Sequence, residues 1–124
     1  MKIRIYYEDT DMGGVVYHTN YIKYCERARS EMFFQNSLSP TLDGCHFVVK
    51  ELYCNFKSFA ILGDLLEVKT TIIEIKGASI KLSQKIYKEE KEIFDMNITL
   101  VFLCENSKIS KIPSKIREFF DKVL

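Results

Sequence analysis

The sequence predicts an α+β fold in which one long helix is wrapped by a curved, five-stranded antiparallel sheet. Between residues 19 and 35 apolar side chains recur at helical spacing, whereas beyond Pro40 the period falls to about two and holds through four runs. Short turns separate the last three runs, which marks an antiparallel meander rather than a set of crossovers. The 124 residues, 47% of them hydrophobic, suffice for one packed core that buries roughly two thirds of the unfolded surface. Residues 1–124 therefore read as a single domain.

Lys2 to Glu8 forms a short strand, with Ile3 and Ile5 alternating with charge. From Thr19 or Asn20, either a suitable N-cap, Tyr21, Tyr24, Cys25, Ala28 and Met32 define the buried stripe of a helix. Lys23, Glu26, Arg27 and Ser30 fall mostly on another face, and Arg27 and Glu31 are spaced for an i,i+4 ion pair. The helix ends in Asn36-Ser37-Leu38-Ser39-Pro40, since a residue before proline avoids the helical region.

Strands are predicted at Phe47 to Phe56, Leu65 to Lys76, Ser79 to Lys88 and Ile93 to Leu103. In the last, Phe94, Met96, Ile98, Leu100 and Phe102 share one face, and Asp95, Asn97 and Thr99 the other. Between Leu65 and Ile75 the apolar phase slips from Leu66, Val68 and Ile72 to Ile73 and Ile75, as a bulge or a buried second face would make it. Gly77-Ala78 and the charged run Lys88 to Glu92 are short enough for hairpin turns. Ile116, Phe119, Phe120 and Val123 follow Pro113 at helical spacing and form a short amphipathic C-terminal helix. Five strands have more edge and apolar face than one helix covers, so pairing with a second copy is the natural remedy.

The formal net charge is +1, from 18 basic and 17 acidic side chains, which speaks against nucleic acid or an anionic membrane as the main partner. No apolar run approaches the roughly 20 residues of a membrane span, and the start MKIRIYYEDTD alternates where a signal peptide is continuously apolar. A cytoplasmic location is expected. Cys25, Cys45, Cys54 and Cys104 lie far apart without a CxxC pair or histidine doublet. They read as reduced packing residues rather than zinc ligands or a disulfide framework. Cys25 as a nucleophile served by His18 is disfavoured, because seven helical residues put them about 10 Å apart. His46 opens a strand far from any motif and reads as structural.

The chemistry is expected in Tyr6 to Glu31, YYEDTDMGGVVYHTNYIKYCERARSE, where the three carboxylates of Glu8, Asp9 and Asp11, two glycines and a histidine gather at the mouth of the long helix. A strand, a turn softened by Gly13-Gly14 and then a helix place a carboxylate opposite the N–H groups that open the helix. Such an arrangement suits attack on a carbonyl. A metal held by Glu8, Asp11 and His18 lacks the fixed spacing of zinc motifs, so no metal or cofactor is expected.

At Tyr6-Tyr7-Glu8-Asp9-Thr10-Asp11, Gly14-Val15-Val16-Tyr17-His18, Asn20-Tyr21 and Glu26-Arg27-Ala28-Arg29, the chain resembles the hot-dog-fold acyl-CoA thioesterases. The resemblance is closest to the YbgC-like branch, relatives of 4-hydroxybenzoyl-CoA thioesterase. It implies hydrolysis of an acyl thioester to free acid and coenzyme A, in homodimers or tetramers of dimers with sites at the subunit interface. In the D-x-D-x-x-G-x-V pattern the catalytic carboxylate falls on Asp11, as general base or nucleophile. The N–H that polarises the thioester carbonyl falls at His18, and Tyr7 completes the YbgC-like set.

Within that resemblance Asp9 is structural, holding the turn through backbone N–H groups. Gly14, Val15, Tyr17 and Phe59 are candidate walls of the substrate site, Phe33, Phe34 and Phe56 are candidates with Phe59 for narrowing the acyl pocket, and Lys57, Lys81 and Lys85 are candidates for the coenzyme phosphates. The alternative from another class is a non-catalytic module that binds an acyl chain or an acyl carrier protein. An intact Tyr7, Asp11 and His18 set argues against it. Dehydration of a carrier-bound hydroxyacyl group belongs to a differently spaced motif that the chain lacks. Acyl length, head group, and coenzyme A against carrier protein are left open by the sequence.

Overall fold

A computed structural model describes residues 1–124. Its elements are β1 (Lys2–Arg4), α1 (His18–Phe34), β2 (Thr41–Leu42), β3 (Cys45–Phe56), β4 (Leu65–Ile75), β5 (Ser79–Lys88), β6 (Lys91–Cys104), β7 (Lys108–Ile109) and α2 (Ser114–Val123). The antiparallel sheet runs β1-β4-β5-β6-β3-β2, with β7 paired to the end of β6. It thus has seven strands rather than five, and the two extra ones, β2 and β7, are two residues long. A two-residue strand carries no periodicity, which is why the sequence did not display them.

The meander of β4, β5 and β6 is present, and the register of β4 on β5 shifts between Ile72 and Glu74, where the apolar phase slips. Phe94, Met96, Ile98, Leu100 and Phe102 are all buried on one face of β6. Against that face lie Tyr21, Tyr24, Cys25 and Ala28 of α1. At the far end of α1 the buried aromatic is Phe33, while Met32 is half-buried. Phe33 meets Phe119 and Phe120 of α2 with ring centroids 4.7 and 5.7 Å apart, which docks the C-terminal helix on the end of the long one.

Three local expectations give way. β1 ends at Arg4, because the Asp9 carboxylate accepts the Tyr6 N–H at 2.8 Å and turns Tyr7–Asp9 into a 3₁₀ turn. The long helix starts at His18 with Tyr17 as its cap residue, not at Thr19 or Asn20. The Asn20 side chain is engaged elsewhere, donating to the Asp9 carbonyl at 3.0 Å. Arg27 and Glu31 do not pair; the ion pairs of the chain are Lys57 with Glu92 and Asp95, Lys85 with Glu92, and Lys88 with Asp64.

The cysteines also need correction. Cys45 and Cys104 form a disulfide one step beyond the His46–Leu103 pair of the β3–β6 ladder. Their sequence separation of 59 hides a proximity that only strand register creates. Cys25 and Cys54 remain free, and burial pushes the Cys25 thiol up to about 12. No thiolate is available there at neutral pH. Native protein treated with iodoacetamide at pH 8 should therefore be alkylated at Cys54 well before Cys25, as read by peptide mass mapping; rapid labelling of Cys25 would contradict its burial.

Candidate active site

The segment between β1 and α1 folds back on itself. Thr10 bridges to Val16, the Asp11 N–H donates to the Val15 carbonyl at 2.8 Å, and the Tyr17 N–H donates to the Asp9 carbonyl at 2.9 Å. Gly14 turns the chain with φ +82°, a conformation that a side chain disfavours. The Gly13 N–H donates to Asp11 Oδ1 at 2.8 Å. A Cβ on residue 13 would stand 3.2 Å from that same oxygen, so the missing side chain is what lets the carboxylate settle over the turn.

The loop between β3 and β4 braces this turn from outside. The Val16 N–H donates to the Ala60 carbonyl at 2.9 Å, Val15 bridges to Ile61, and the Ala60 N–H donates to the Tyr21 hydroxyl at 3.1 Å. Burial raises the Tyr21 pKa most, and the carboxylates of Asp64 and Asp11 raise it further, so the charge of Asp11 is felt on the first turn of α1.

That first turn is open. Tyr17 offers no capping side chain, no acidic residue lies in the turn, and the His18 and Thr19 N–H groups find no acceptor within the chain. The positive end of the helix therefore faces outward uncompensated. The His18 ring lies 4.7 Å from Tyr17 and 6.0 Å from Phe56 by ring centroids. A carboxylate on a glycine turn, free N–H donors and an imidazole thus share one end of α1. This set can activate water or attack directly while donors stabilise an oxyanion.

The Asp11 side chain is exposed: neighbouring Val15 is only half-buried and Val16 turns away into the core. Tyr6, Tyr7, Met12 and Tyr17 from the same segment, with Phe56 and Phe59 from the end of β3 and the bracing loop, leave an apolar rim open to solvent, Tyr7 at 83% and Phe59 at 59%. The turn and its bracing loop thus bring Asp11, Gly14, Val15, Tyr17 and His18 together, with Tyr7 on the neighbouring 3₁₀ turn and Phe59 on the bracing loop.

The lysines are not brought in. Lys57 is held by Glu92 and by Asp95 at 3.0 Å. Lys81 and Lys85 alternate with the buried Ile80, Leu82 and Ile86, so they occupy the sheet face turned away from α1, and Lys85 is paired with Glu92 at 3.2 Å.

Asp64, which the sequence reading passed over, fixes the bracing loop by accepting the Ile61 N–H at 2.8 Å and Lys88 Nζ at 2.9 Å. Asp followed by a residue pair typical of a strand start is its only sequence signal. Burial opposes ionisation of Asp64, but the Ile61 N–H and the Lys88 ammonium outweigh it and hold the carboxyl below its usual value. A depressed folded-state pKa contributes stability above the unfolded carboxylate pKa, and that contribution is lost as pH falls through the folded value. Lys88→Met should cost less than about 1 kcal/mol at neutral pH, the pair being partly exposed. The difference from wild type should shrink as pH drops below the carboxylate range, as followed by urea titrations at several pH values.

Residues 6–120 match the family described as the thioesterase-like superfamily. The chain is 48% identical over 87 residues to the acyl-CoA thioesterase YbgC of Helicobacter pylori, an alignment spanning 70% of this chain and 65% of that one. It therefore covers just under two thirds of that relative's length. Against the acyl-CoA thioester hydrolase YbgC of Escherichia coli the identity is 36% over 110 residues, covering 86% and 82% of the two chains. Among solved structures, a probable thioesterase from Bartonella henselae superposes with a TM-score of 0.86 at 32% identity, covering 91% of this chain and 97% of that one. A hypothetical protein from Aquifex aeolicus superposes with a TM-score of 0.91 at 26% identity, covering 97% of each.

Proposed function

The chain belongs to the thioesterase-like superfamily, in its YbgC-like branch of hot-dog proteins, and from that premise we propose that it hydrolyses acyl-CoA thioesters to free acid and coenzyme A. The observation that carries the reading is the Asp11 carboxylate, seated on the Gly13 N–H beside the uncapped start of α1. In the ground state the thioester carbonyl oxygen lies toward the His18 and Thr19 N–H groups. Charge developing on that oxygen is stabilised there, and one such donor supplies about 3 kcal/mol. Asp11 either takes a proton from attacking water, or adds to the carbonyl carbon and expels the thiolate, leaving a mixed anhydride that water then hydrolyses to the free acid. In this reading His18 protonates the departing thiolate, and Tyr7 and Phe59 wall the site.

The apolar rim fits a site completed by a second copy. β3 pairs with β2 only at Cys45 and His46, so its edge from Phe47 to Phe56 lacks a partner strand and offers continuous pairing to another chain. We place the enzyme in the cytoplasm as a homodimer or a tetramer of dimers, with an acyl carrier protein as the second source of thioester to test. No helix is long and apolar enough to cross a membrane. Lys57 and Lys81 would reach coenzyme phosphates only from a neighbouring subunit. Thiol release from a panel of short, long and aromatic acyl-CoA substrates tests the reading. Release by purified protein supports it; none from any member, by folded protein, favours the acyl-binding alternative.

A further inference from the structure

We propose that the groove between α1 and β3 receives an acyl chain that ends in a carboxylate, and that Arg29 binds this far carboxylate. This rests on the thioesterase reading and adds a substrate class to it. The groove runs along α1 from one turn beyond the candidate site. His18 lies edge-on to Phe56 at 6.0 Å. One helical turn beyond His18 stands Ile22, and four residues before Phe56 on the same face of β3 stands Leu52. Both line a cavity of about 430 Å³ that continues between Phe33 and Phe47 and over Ile98. From His18 to Arg29 the helix advances about 16 Å, which a medium-length acyl chain spans.

At that distance the lining stops being apolar. Arg29 enters the cavity half-buried and takes part in no ion pair of the chain. One of its N–H groups donates to Gln84 Oε1 at 2.8 Å. Gln84 is fully buried, the only polar residue in the core, and its amide donates to the Cys25 carbonyl at 2.9 Å and to Thr70 Oγ1 at 3.1 Å. Those two acceptors fix which end of the amide faces the arginine. A buried glutamine thus aims a guanidinium into the cavity, and the other donors of that guanidinium have no partner in the chain. Burial disfavours the charged guanidinium and the Glu26 carboxylate offsets this only in part and from outside ion-pair distance, so holding the cation against Phe33, Leu82 and Ile98 without a direct anionic partner is costly, and an alkyl tail would leave it so. A carboxylate meets the planar fork with paired hydrogen bonds. Glu26, one turn earlier on the groove, lies outside ion-pair distance; in a dimer the partner's copy of that residue is the rival anion.

The test compares dodecanoyl-CoA with its ω-carboxyl counterpart as substrates of wild-type, Arg29→Gln and Arg29→Lys protein, each checked for folding by circular dichroism. Wild type should favour the ω-carboxyl substrate in kcat/KM by about tenfold or more, carried by KM, in line with a charged hydrogen-bonded pair. Arg29→Gln should collapse that ratio toward one, and Arg29→Lys should keep part of it. Cleavage of both substrates at equal efficiency by wild type overturns the inference while leaving the thioesterase reading intact. If neither is cleaved, that reading fails, and calorimetric binding of the same two molecules decides the inference alone. Tighter binding of the ω-carboxyl form supports it; equal or absent binding overturns it. Unchanged preference in Arg29→Gln, together with a shift from dimer to monomer in sedimentation, assigns the guanidinium to the partner's carboxylate and also overturns it.

Discussion

Replacing Asp11 by asparagine is expected to lower kcat for acyl-CoA hydrolysis roughly a thousandfold, within the range for loss of a general base, and by no less if the carboxylate is the nucleophile. Asparagine keeps the shape of the side chain and an oxygen that accepts the Gly13 N–H, now at 2.8 Å. The carboxylate is exposed and makes no ion pair, so its loss removes no buried charge. Stability should stay within about 0.5 kcal/mol of wild type, as for a surface substitution. The uncapped start of α1 remains in the variant, and substrate affinity should change little. Thiol release under saturating acyl-CoA, beside a thermal melt, measures both quantities. Turnover near wild type in folded Asp11→Asn would remove Asp11 from the chemistry. A loss of turnover accompanied by a lowered melting temperature would instead point to the turn's integrity.

What the sequence displayed of this molecule follows from which forces are local. The stripe of α1, the alternation of β6 and the phase slip in β4 are written in side-chain spacing, because each residue's burial depends on the same element's geometry. The start of α1 is different. Thr19 and Asn20 have the composition of caps, yet Asn20 binds the Asp9 carbonyl, an interaction set by how the preceding turn folds. The candidate site was legible as a cluster in Tyr6 to Glu31, since its turn closes over eight or so residues. The exposure of Asp11 was not, because the direction of Val16 is set by its bond to Ala60, far along the chain. Gln84 leaves a trace in the sequence as well. In Ile80-Leu82-Gln84-Ile86 a polar residue occupies a core position of the alternation, which signals a buried hydrogen-bonding network. The lysines show the opposite case: Lys57 and Lys81 have the right charge for phosphates, but strand parity and the Glu92 cluster decide where they point.

Reducing the Cys45–Cys104 disulfide, or replacing Cys104 by serine, is expected to cost up to about 4 kcal/mol of stability by the chain-entropy argument. The bond closes a loop with a sequence separation of 59, so its removal releases a large share of the unfolded chain's freedom. Little in the native state opposes the change. β3 and β6 remain paired from His46–Leu103 to Phe56–Phe94, and the sulfur atoms lie at the sheet's end rather than in its core. The fold should therefore persist with a melting temperature lowered by up to about 15 °C, given the size scaling of thermal unfolding. Melts of wild type with and without reductant, beside the Cys45→Ser/Cys104→Ser double variant, measure this. The double variant should melt with reduced wild type and ignore the reductant; a wild type shown by mass to be oxidised, yet melting alike under both conditions, would refute the crosslink's contribution. The loss should also be local in its dynamics. Thr41 and Leu42 pair in the sheet only with His46 and Cys45, so once the crosslink is gone the amides of β2 and the start of β3 should exchange with solvent faster, while the middle of β6 stays protected. Phe47 and Thr41 wall the groove beside Arg29, and a loosened β3 start would widen the groove at that end without disturbing Asp11 at the other.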